Sequence, residues 1–285
     1  MQLIEAEREF PFSGADFDYL VALVYEKSGI VLKPHKRNMV YSRLSRRLRD
    51  LHLRSFSEYC ELIQSEGGAD EVGSLINAIT TNLTKFFRES HHFDHLRDTV
   101  LKDLTQQAAK GAAKELRIWS AGCSSGEEPY SIAMTMVEAM PVLAEWDARI
   151  LATDLDSSMI ERAKAGVYSV AALTAVSKGT RVRHFDPERG AKGERWVVAE
   201  QLRRLITFKQ LNLLKPWPMK RQFDAVFCRN VMIYFDTATK AELIGRIGKV
   251  LKPNGWLYLG HSESVLGDNS GFKLVGRTIY QKASS

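Results

Sequence analysis

The sequence predicts an α/β fold in which a doubly wound, mostly parallel sheet follows an all-helical N-terminal unit and is interrupted by a small β insertion. Residues 1 to about 80 place apolar side chains three and four positions apart, which is typical of packed helices. After Leu116, short apolar runs alternate with helical segments, as in a parallel sheet covered by helices. Residues 166–205 break this alternation with charged, strand-like runs, which predict the insertion.

The all-helical unit, predicted over residues 1–80, contains three helical segments. They span residues 16–25, 36–53 and 56–64, and Gly67-Gly68 marks a break after the third. In the second segment an apolar stripe, formed by residues such as Val40, recurs every four positions. Four basic residues lie on an adjoining face, which we call the basic ridge: Lys36, Arg43, Arg47 and Arg54.

The basic ridge has two interpretations. From Lys33 to Arg54 the sequence holds eight basic residues and one acidic residue, Asp50. Such a run is either a solvated helix face or a docking surface for an acidic partner. Nucleic acid is the less favoured partner, because no aromatic residues interleave with the charges for base stacking.

Composition and charge exclude several classes of protein. No apolar run approaches the roughly 18 residues that a transmembrane helix needs. The N-terminal run, Met1-Gln-Leu-Ile-Glu-Ala-Glu7, is acidic and mixed, so we expect no signal peptide. The three cysteines are far apart and lack Cys-x-x-Cys spacing. We therefore expect a cytoplasmic protein with no metal site and no membrane insertion and, without coiled-coil heptads, a monomer.

Residues 81–90 join the helical unit to the sheet domain, which is predicted over residues 91–285. The joining segment is poor in Gly and Pro, so it is not a floppy linker. We predict strands over residues 116–119, 149–153, 205–208, 223–229 and 256–259, helices over 157–165 and 237–251, and a closing hairpin over 273–281. Ser157 is expected to cap the first of these helices, and Lys252-Pro-Asn-Gly255 to end the second.

The run Ser120-Ala-Gly-Cys-Ser-Ser-Gly-Glu-Glu-Pro-Tyr130 is a small-residue turn between a strand and a helix. Its glycines allow a ligand to approach the backbone closely, and the helix start offers free N–H groups. The run lacks the Gly-Lys-Ser/Thr ending of a phosphate loop. Glu127 and Glu128 stand where a dinucleotide enzyme would receive a pyrophosphate. The turn therefore favours a ligand with hydroxyls and positive charge, and S-adenosylmethionine has both.

Polar residues at other strand ends are candidates for the same site, since parallel sheets bind ligands at their carboxyl ends. Asp154 can accept both hydroxyls of a ribose, or it can cap the next helix. Asn212 can read an adenine edge while Leu213 packs on the base, although Asn is also common in turns.

A third strand end carries Arg229, Asn230 and Tyr234, which are expected to point into the cleft. Tyr234 can equally be a core tyrosine whose hydroxyl is satisfied. His91 and His92 are expected on a helix surface.

Several motifs together resemble the bacterial chemotaxis receptor methyltransferases, the CheR family, along nearly the whole chain. They are Thr80-Thr-Asn-Leu-Thr-x-Phe-Phe-Arg-Glu89, Gly126-Glu-Glu-Pro-Tyr-Ser131, Phe227-Cys-Arg-Asn-Val-Met-Ile-Tyr-Phe-Asp236, Leu251-Lys-Pro-x-Gly255 and Gly260-His-Ser-Glu263. The resemblance implies a Rossmann-like class I methyltransferase domain, with S-adenosylmethionine as cofactor and S-adenosylhomocysteine as product. It also implies methylation of glutamates on the cytoplasmic helices of chemoreceptors, giving glutamate methyl esters for sensory adaptation.

Carried onto this sequence, the resemblance implies a role for each candidate residue. Asn82, Thr84 and Arg88 would meet the methionine end of the cofactor or the substrate carboxylate, and Glu128 the amino-acid part. Asp154 would hold the ribose, while Asn212 and Leu213 would frame the adenine. Arg229, Asn230 and Tyr234 would complete the floor.

A glutamate is ionised at pH 7, so the reaction needs a positioned carboxylate rather than a strong general base. We expect Arg88 to position the substrate and Tyr234 to donate a hydrogen bond near the transferring methyl group. The basic ridge would dock on the acidic helical bundle of the receptor, and the insertion over residues 166–205 could bind a receptor C-terminal tail peptide.

Three other readings remain open. A nucleic-acid methyltransferase would explain the basic helix, but the chain lacks an Asn/Asp-Pro-Pro-aromatic run. A module that binds S-adenosylmethionine without catalysis would be favoured by a missing Arg88 or Tyr234, and both are present. A nicotinamide oxidoreductase is disfavoured by the two acids at the helix start.

Overall fold

The computed structural model describes residues 8–190, 193–265 and 271–283. The run on which the signal-peptide expectation rests, residues 1–7, lies outside the described residues. The chain forms two compact units, the first comprising residues up to Thr81 together with Tyr234–Asp236, and the second the remainder. In the described part of the chain no helix is both long and apolar enough to span a bilayer.

The first unit is built from helices, as predicted: α1 (Gly14–Ser28), α2 (Arg37–Asp50), α3 (Phe56–Gln64) and α4 (Ala69–Ile79). Ser13 and Asp16 form a capping box at the start of α1, which satisfies backbone N–H groups there. Val40, Leu44 and Leu48 of the predicted stripe are fully buried. The second helix is shorter than predicted, because a 3₁₀ turn over Pro34–Lys36 precedes it and it ends at Asp50. Lys36 and Arg54 of the basic ridge therefore lie outside the helix.

The second unit contains the predicted doubly wound sheet. Its described strands form a seven-stranded sheet in the order β6-β2-β1-β7-β8-β10-β9. The neighbouring pairs from β6 to β8 are parallel, while β10 is antiparallel to β8 and to β9, so the closing hairpin is confirmed. The bounds are β1 (Glu115–Ala121), β2 (Asp147–Asp154), β6 (Ile206–Gln210), β7 (Phe223–Cys228), β8 (Leu251–Leu259), β9 (Phe272–Gly276) and β10 (Ile279–Lys282).

The helices of the second unit are α5 (His91–His95), α6 (Lys102–Ala109), α7 (Glu127–Ala139), α8 (Ser157–Ala165), α9 (Lys178–His184), α10 (Glu200–Arg203) and α11 (Thr237–Val250). A π-helical segment, Leu96–Leu101, joins α5 to α6. The helix expected at His91 and His92 is present as α5, but the expectation that His92 lies on its surface is wrong. His92 is fully buried, where its Nε2 lies 3.1 Å from the Thr278 hydroxyl.

The predicted β insertion is a separate three-stranded sheet in the order β3-β5-β4. Its strands are β3 (Val167–Ser169), β4 (Phe185–Gly190) and β5 (Gly193–Val198), and both pairs are antiparallel. Tyr168 of β3 is buried and donates its hydroxyl to the Ser125 carbonyl at 2.7 Å. The insertion therefore supports the turn that follows β1.

Candidate active site

The turn over residues 122–126 joins β1 to α7 and requires glycine at both ends. Gly122 and Gly126 have φ angles of 88° and 99°, in the left-handed region. A Cβ atom on Gly122 would lie 2.3 Å from Val231 Cγ2, and one on Gly126 would lie 2.8 Å from the Tyr168 hydroxyl. Any side chain here would displace the packing beneath the turn, so the glycines give the site its shape.

Asp154 lies at the end of β2, beside this turn. Its Oδ2 accepts the Ser124 backbone N–H at 2.7 Å, and its Oδ1 accepts that of Asp156 at 2.9 Å. Burial raises the pKa of the Asp154 carboxyl, although these N–H groups oppose the rise. A carboxylate oxygen accepts more than one hydrogen bond, so Asp154 is oriented and can still accept ligand hydroxyls.

Asp156, which was not predicted as a site residue, links Asn82 to the end of β2. Its Oδ1 accepts the N–H groups of Ser158 and Met159, so Asp156 rather than the predicted Ser157 caps α8. Its Oδ2 accepts the Asn82 side-chain amide at 2.8 Å. The Asn82 side chain is therefore held near the strand end that carries Asp154, and the cofactor roles of both residues stay predictions. The sequence signal that could have indicated Asp156 is its position two residues after Asp154, at the end of the same predicted strand.

Glu128 lies in the first turn of α7 and is buried. Its Oε1 accepts the Ser120 hydroxyl at 2.7 Å, and its Oε2 accepts Arg229 Nη1 at 3.0 Å. Burial raises the pKa of Glu128, and Arg229 opposes this rise. The guanidinium of Arg229 also donates to the Arg88 carbonyl and lies 3.3 Å from Glu89 Oε2. We call Glu89, Glu128 and Arg229 the acid–arginine cluster.

The acid–arginine cluster has two carboxylates around one guanidinium. Burial would raise the pKa of Glu89, but Arg229 and His261 hold it below its usual range. His261 donates its backbone N–H to Glu89 Oε1 at 3.2 Å. Within the described residues, Glu89 Oε2 and Arg229 Nε are buried without a hydrogen-bond partner. The cluster thus holds one more carboxylate than guanidinium, a charge balance that suits a cationic ligand.

Glu263, also missed by the sequence reading, fastens the loop after β7 to the end of β8. Its Oε2 accepts the backbone N–H groups of Asn230 and Gly260, each at 2.7 Å, and its Oε1 accepts that of Ile233 at 3.2 Å. Asn230 has a φ of 58°, a left-handed conformation that these bonds stabilise. Both Glu89 and Glu263 lie in motifs that carried the resemblance, and this was the available signal.

The remaining predicted residues lie as follows. Thr84 and Arg88 are partly buried, and Arg88 Nη1 donates to the Leu83 carbonyl at 2.9 Å. Leu211, after β6, donates its N–H to the Asp154 carbonyl, which puts Asn212 beside this strand end. Leu213 is buried. Tyr234 belongs to the first unit, where its hydroxyl lies 3.4 Å from the Thr81 carbonyl.

The basic ridge is divided in its interactions. Arg43 donates to the Ile79 and Thr80 carbonyls at the end of α4. Arg47 forms a two-pronged ion pair with the buried Glu71. Lys36 and Arg54 are exposed. Arg43 and Arg47 therefore bond to groups within the helical unit. The docking role of the ridge stays a prediction.

Two protein-family models match consecutive parts of the chain. The model described as "CheR methyltransferase, all-alpha domain" matches residues 15–80, and "CheR methyltransferase, SAM binding domain" matches residues 82–281. This chain belongs to the CheR family.

Curated relatives of this CheR chain agree with the family models over nearly its full length. A "Probable chemotaxis protein methyltransferase" of Rhizobium etli is 45% identical, covering 91% of this chain and 96% of the relative. The "Chemotaxis protein methyltransferase 2" of Pseudomonas aeruginosa is 41% identical, covering 97% and 96%. The "Chemotaxis protein methyltransferase" of Escherichia coli is 40% identical, covering 98% and 94%.

The predicted fold class and cofactor are thereby confirmed: the protein is an S-adenosylmethionine-dependent methyltransferase with an all-helical N-terminal domain. The residues at the site fit this cofactor on physical grounds. Its sulfonium and α-ammonium groups are cationic, and the acid–arginine cluster holds two carboxylates for one guanidinium. Its ribose hydroxyls are donors, and Asp154 is an oriented acceptor.

Proposed function

We propose that this CheR protein transfers the methyl group of S-adenosylmethionine to glutamate side chains of chemoreceptors, forming glutamate methyl esters for sensory adaptation. Its relatives are named as chemotaxis protein methyltransferases. The observation that carries the proposal is the acid–arginine cluster, in which Arg229 joins Glu128 of α7 to Glu89 and to the carbonyl of Arg88. The cluster would neutralise a cationic cofactor and hold the backbone of the proposed substrate-positioning residue.

Each end of the cofactor would have its own residues. Asn82, Thr84, Glu128, Arg229 and Asn230 would hold the amino-acid end. Asp154 would accept the ribose hydroxyls, which its orientation by two backbone N–H groups supports. At the adenine, Asn212 would read the base edge and Leu213 would pack on its face, since Leu213 is apolar and buried. When bound, the cofactor supplies a methyl group activated by its sulfonium.

The proposed mechanism needs no strong base. A substrate glutamate, with a pKa near 4.3, is ionised at pH 7, so the protein has to hold one carboxylate oxygen in line and exclude water. Arg88 would position that carboxylate by charge-assisted bonds, and a loose pair is preferable because tight pairing makes the oxygen a poorer nucleophile. Tyr234 would donate a hydrogen bond close to the reacting atoms.

Variants of Arg88 and Tyr234 test these roles. Arg88→Ala is expected to lower the methylation rate about 100-fold, the size expected for lost orientation, and Tyr234→Phe to lower it less. Cofactor affinity, measured by calorimetry, should change little, because the roles concern the substrate. Lys85→Ala, which alters an exposed residue in the same segment, is the matched control. Normal rates for both variants would refute the assignment.

The substrate class is tested with labelled cofactor. The protein is incubated with methyl-labelled S-adenosylmethionine and, in parallel, chemoreceptor cytoplasmic fragments or nucleic acid. We expect label on the receptor that mild base releases as methanol, since carboxyl methyl esters are hydrolysed by base. Label on nucleic acid, or none on the receptor, would overturn the proposal. Receptor fragments with the acceptor glutamates changed to alanine are the matched control.

The proposal extends to partners and placement in the cell. The protein would act in the cytoplasm as a monomer on the receptor's helical bundle, and residues 81–90 would contribute to the active site. The exposed part of the basic ridge, Lys36 and Arg54, would meet acidic residues of that bundle. The β insertion over residues 166–205 would bind a receptor tail peptide where the receptor has one, raising its effective concentration.

A further inference from the structure

The loop over residues 212–217, which follows β6, is held in a tight conformation. The Asn212 side-chain oxygen accepts the Leu214 N–H at 2.9 Å, and its backbone carbonyl accepts the Lys215 N–H at 3.1 Å. These bonds arrange the loop locally. They leave open what fixes the loop against the rest of the second unit.

Arg246 of α11 connects this loop to the helix. Its Nη1 donates to the Leu213 carbonyl at 2.8 Å, and its Nη2 donates to the Lys215 carbonyl at 2.5 Å. The guanidinium also lies 4.2 Å from the centroid of the Trp217 ring. A planar guanidinium can bridge two carbonyls and stack on an aromatic ring at once, which a lysine ammonium cannot do.

Trp217 anchors the same carbonyl from the sheet side. Its Nε1 donates to the Leu213 carbonyl at 3.1 Å, and its ring packs edge-on against Trp119 of β1 at 4.8 Å between centroids. Trp119 is fully buried, and its indole donates to the Thr153 hydroxyl. The Leu213 carbonyl thus receives two donors, one fixed on α11 and one fixed against β1.

We propose that Arg246 is a positioning residue for the adenine end of the cofactor site, with Trp217 as its partner. The inference rests on the proposed placement of adenine at Asn212 and Leu213. By fixing the carbonyls of Leu213 and Lys215, the pair sets the direction of the Asn212 amide and of the Leu213 side chain. Without Arg246 or Trp217, we expect the site to distinguish adenine less well from other bases, while the acid–arginine cluster is unchanged.

The test compares two ligands that differ only at the base edge, S-adenosylhomocysteine and its hypoxanthine counterpart, S-inosylhomocysteine. The amino group of adenine is replaced by an oxygen in the second ligand, so their Kd ratio reports base reading. We expect the wild-type protein to prefer the adenine ligand by about tenfold or more, a typical size for reading one base edge. Arg246→Met should bring the ratio close to one, and Arg246→Lys should restore part of it. Trp217→Phe, which keeps a ring but loses the donor, should have a smaller effect.

Lys249→Met is the matched control, because Lys249 is an exposed basic residue of the same helix. A purely structural role for Arg246 predicts lower thermal stability with an unchanged Kd ratio, and that result would overturn the inference. Asn212→Ala separates the two levels of the argument. If it leaves the ratio unchanged, the adenine placement fails and this inference falls with it. If Asn212→Ala abolishes the preference for adenine but neither Arg246→Met nor Trp217→Phe changes it, the adenine placement stands and only the positioning role fails.

Discussion

Arginine has different surroundings in the two units of the molecule. In the second unit the Arg229 side chain is 2% exposed and lies between the carboxylates of Glu89 and Glu128. In the first unit the Arg47 side chain is 34% exposed and pairs with a buried Glu71, while Lys36 and Arg54 are exposed. Sequence counting weighs these residues equally. The comparison shows that the role of each is decided by the groups buried beside it.

Removing Arg229 is expected to have the largest effect. Arg229→Met leaves the buried Glu128 and the mostly buried Glu89 without their guanidinium, so we expect a loss of about 3–5 kcal/mol in the free energy of unfolding. Urea denaturation measures this loss. The control is Arg204→Met, which removes an exposed helix pair with Glu200 and should cost about 0.5 kcal/mol or less. Equal losses for the two variants would erase the contrast between buried and exposed arginines.

Removing Arg47 should have an intermediate effect. Arg47→Met leaves the buried Glu71 with the Tyr59 hydroxyl but without an ion-pair partner, and we expect a loss of about 2 kcal/mol. Denaturant titration of this variant is to be compared with Arg46→Met, which alters an exposed arginine of the same helix. A loss no greater than that of Arg46→Met would mean that Glu71 is solvated after the change.

His92, which lies against the acid–arginine cluster, should make the protein sensitive to acid. Burial, together with the nearby Arg229 charge, lowers the pKa of His92 to about 3. The unfolded chain binds a proton at this residue near pH 6.5, while the native state does not until about pH 3. The contribution of His92 is therefore present above pH 6.5 and is lost as pH falls, at up to about 1.4 kcal/mol per pH unit.

Unfolding free energies measured at several pH values between 4 and 7 test this sign. We expect His92→Gln to show a shallower dependence on pH than the wild-type protein, whatever its stability at pH 7. His35→Gln, which changes an exposed histidine, should keep the wild-type slope. If His92→Gln has the wild-type slope as well, then His92 takes up its proton in the native state.

The exposed part of the basic ridge should have the smallest effect on stability. Changing Lys36 and Arg54 together to glutamate is expected to alter the unfolding free energy by less than about 1 kcal/mol, as is usual for exposed sites. The KM for receptor fragments should rise roughly fivefold at low salt, and the difference should fade at high salt, because salt screens exposed charges.

Lys249→Glu combined with Arg204→Glu is the control, since it changes the net charge equally on another surface. An unchanged KM for the ridge variant, or an equal rise for the control, would remove the ridge from receptor docking. The result would also show whether the basic residues that are not paired inside the helical unit are enough to bind an acidic partner.

Much of the fold could be predicted because its signals are local. The strands at β1, β2 and β7 are short apolar runs, and the closing hairpin and the helices α3 and α8 follow equally clear patterns. The burial of His92 on α5 could not be predicted, because it depends on residues that are remote in the sequence. The Nε2 of His92 meets Thr278, which is 186 residues away in the sequence.

The residues of the candidate site also fall into those that local patterns predict and those that they do not. Asp154, Asn212 and Arg229 could be named because each follows a predicted strand, and parallel strands present their carboxyl ends at one edge. Glu89, Asp156 and Glu263 could not be assigned a role, since a carboxylate in a loop is usually solvated. The structure shows instead that each accepts hydrogen bonds from backbone or side chains brought to it by the fold.

By itself, the sequence determined the class of fold, the glycine turn, the family and the cofactor, because these depend on short-range patterns and on motifs with fixed spacing. Only the tertiary structure decided which charges are buried and which groups meet them. Arg229 reaches Glu128 across 101 residues of sequence, and Asn82 reaches Asp156 across 74. A buried charge is stable only beside its partner, so its role is determined where the chain brings distant residues together.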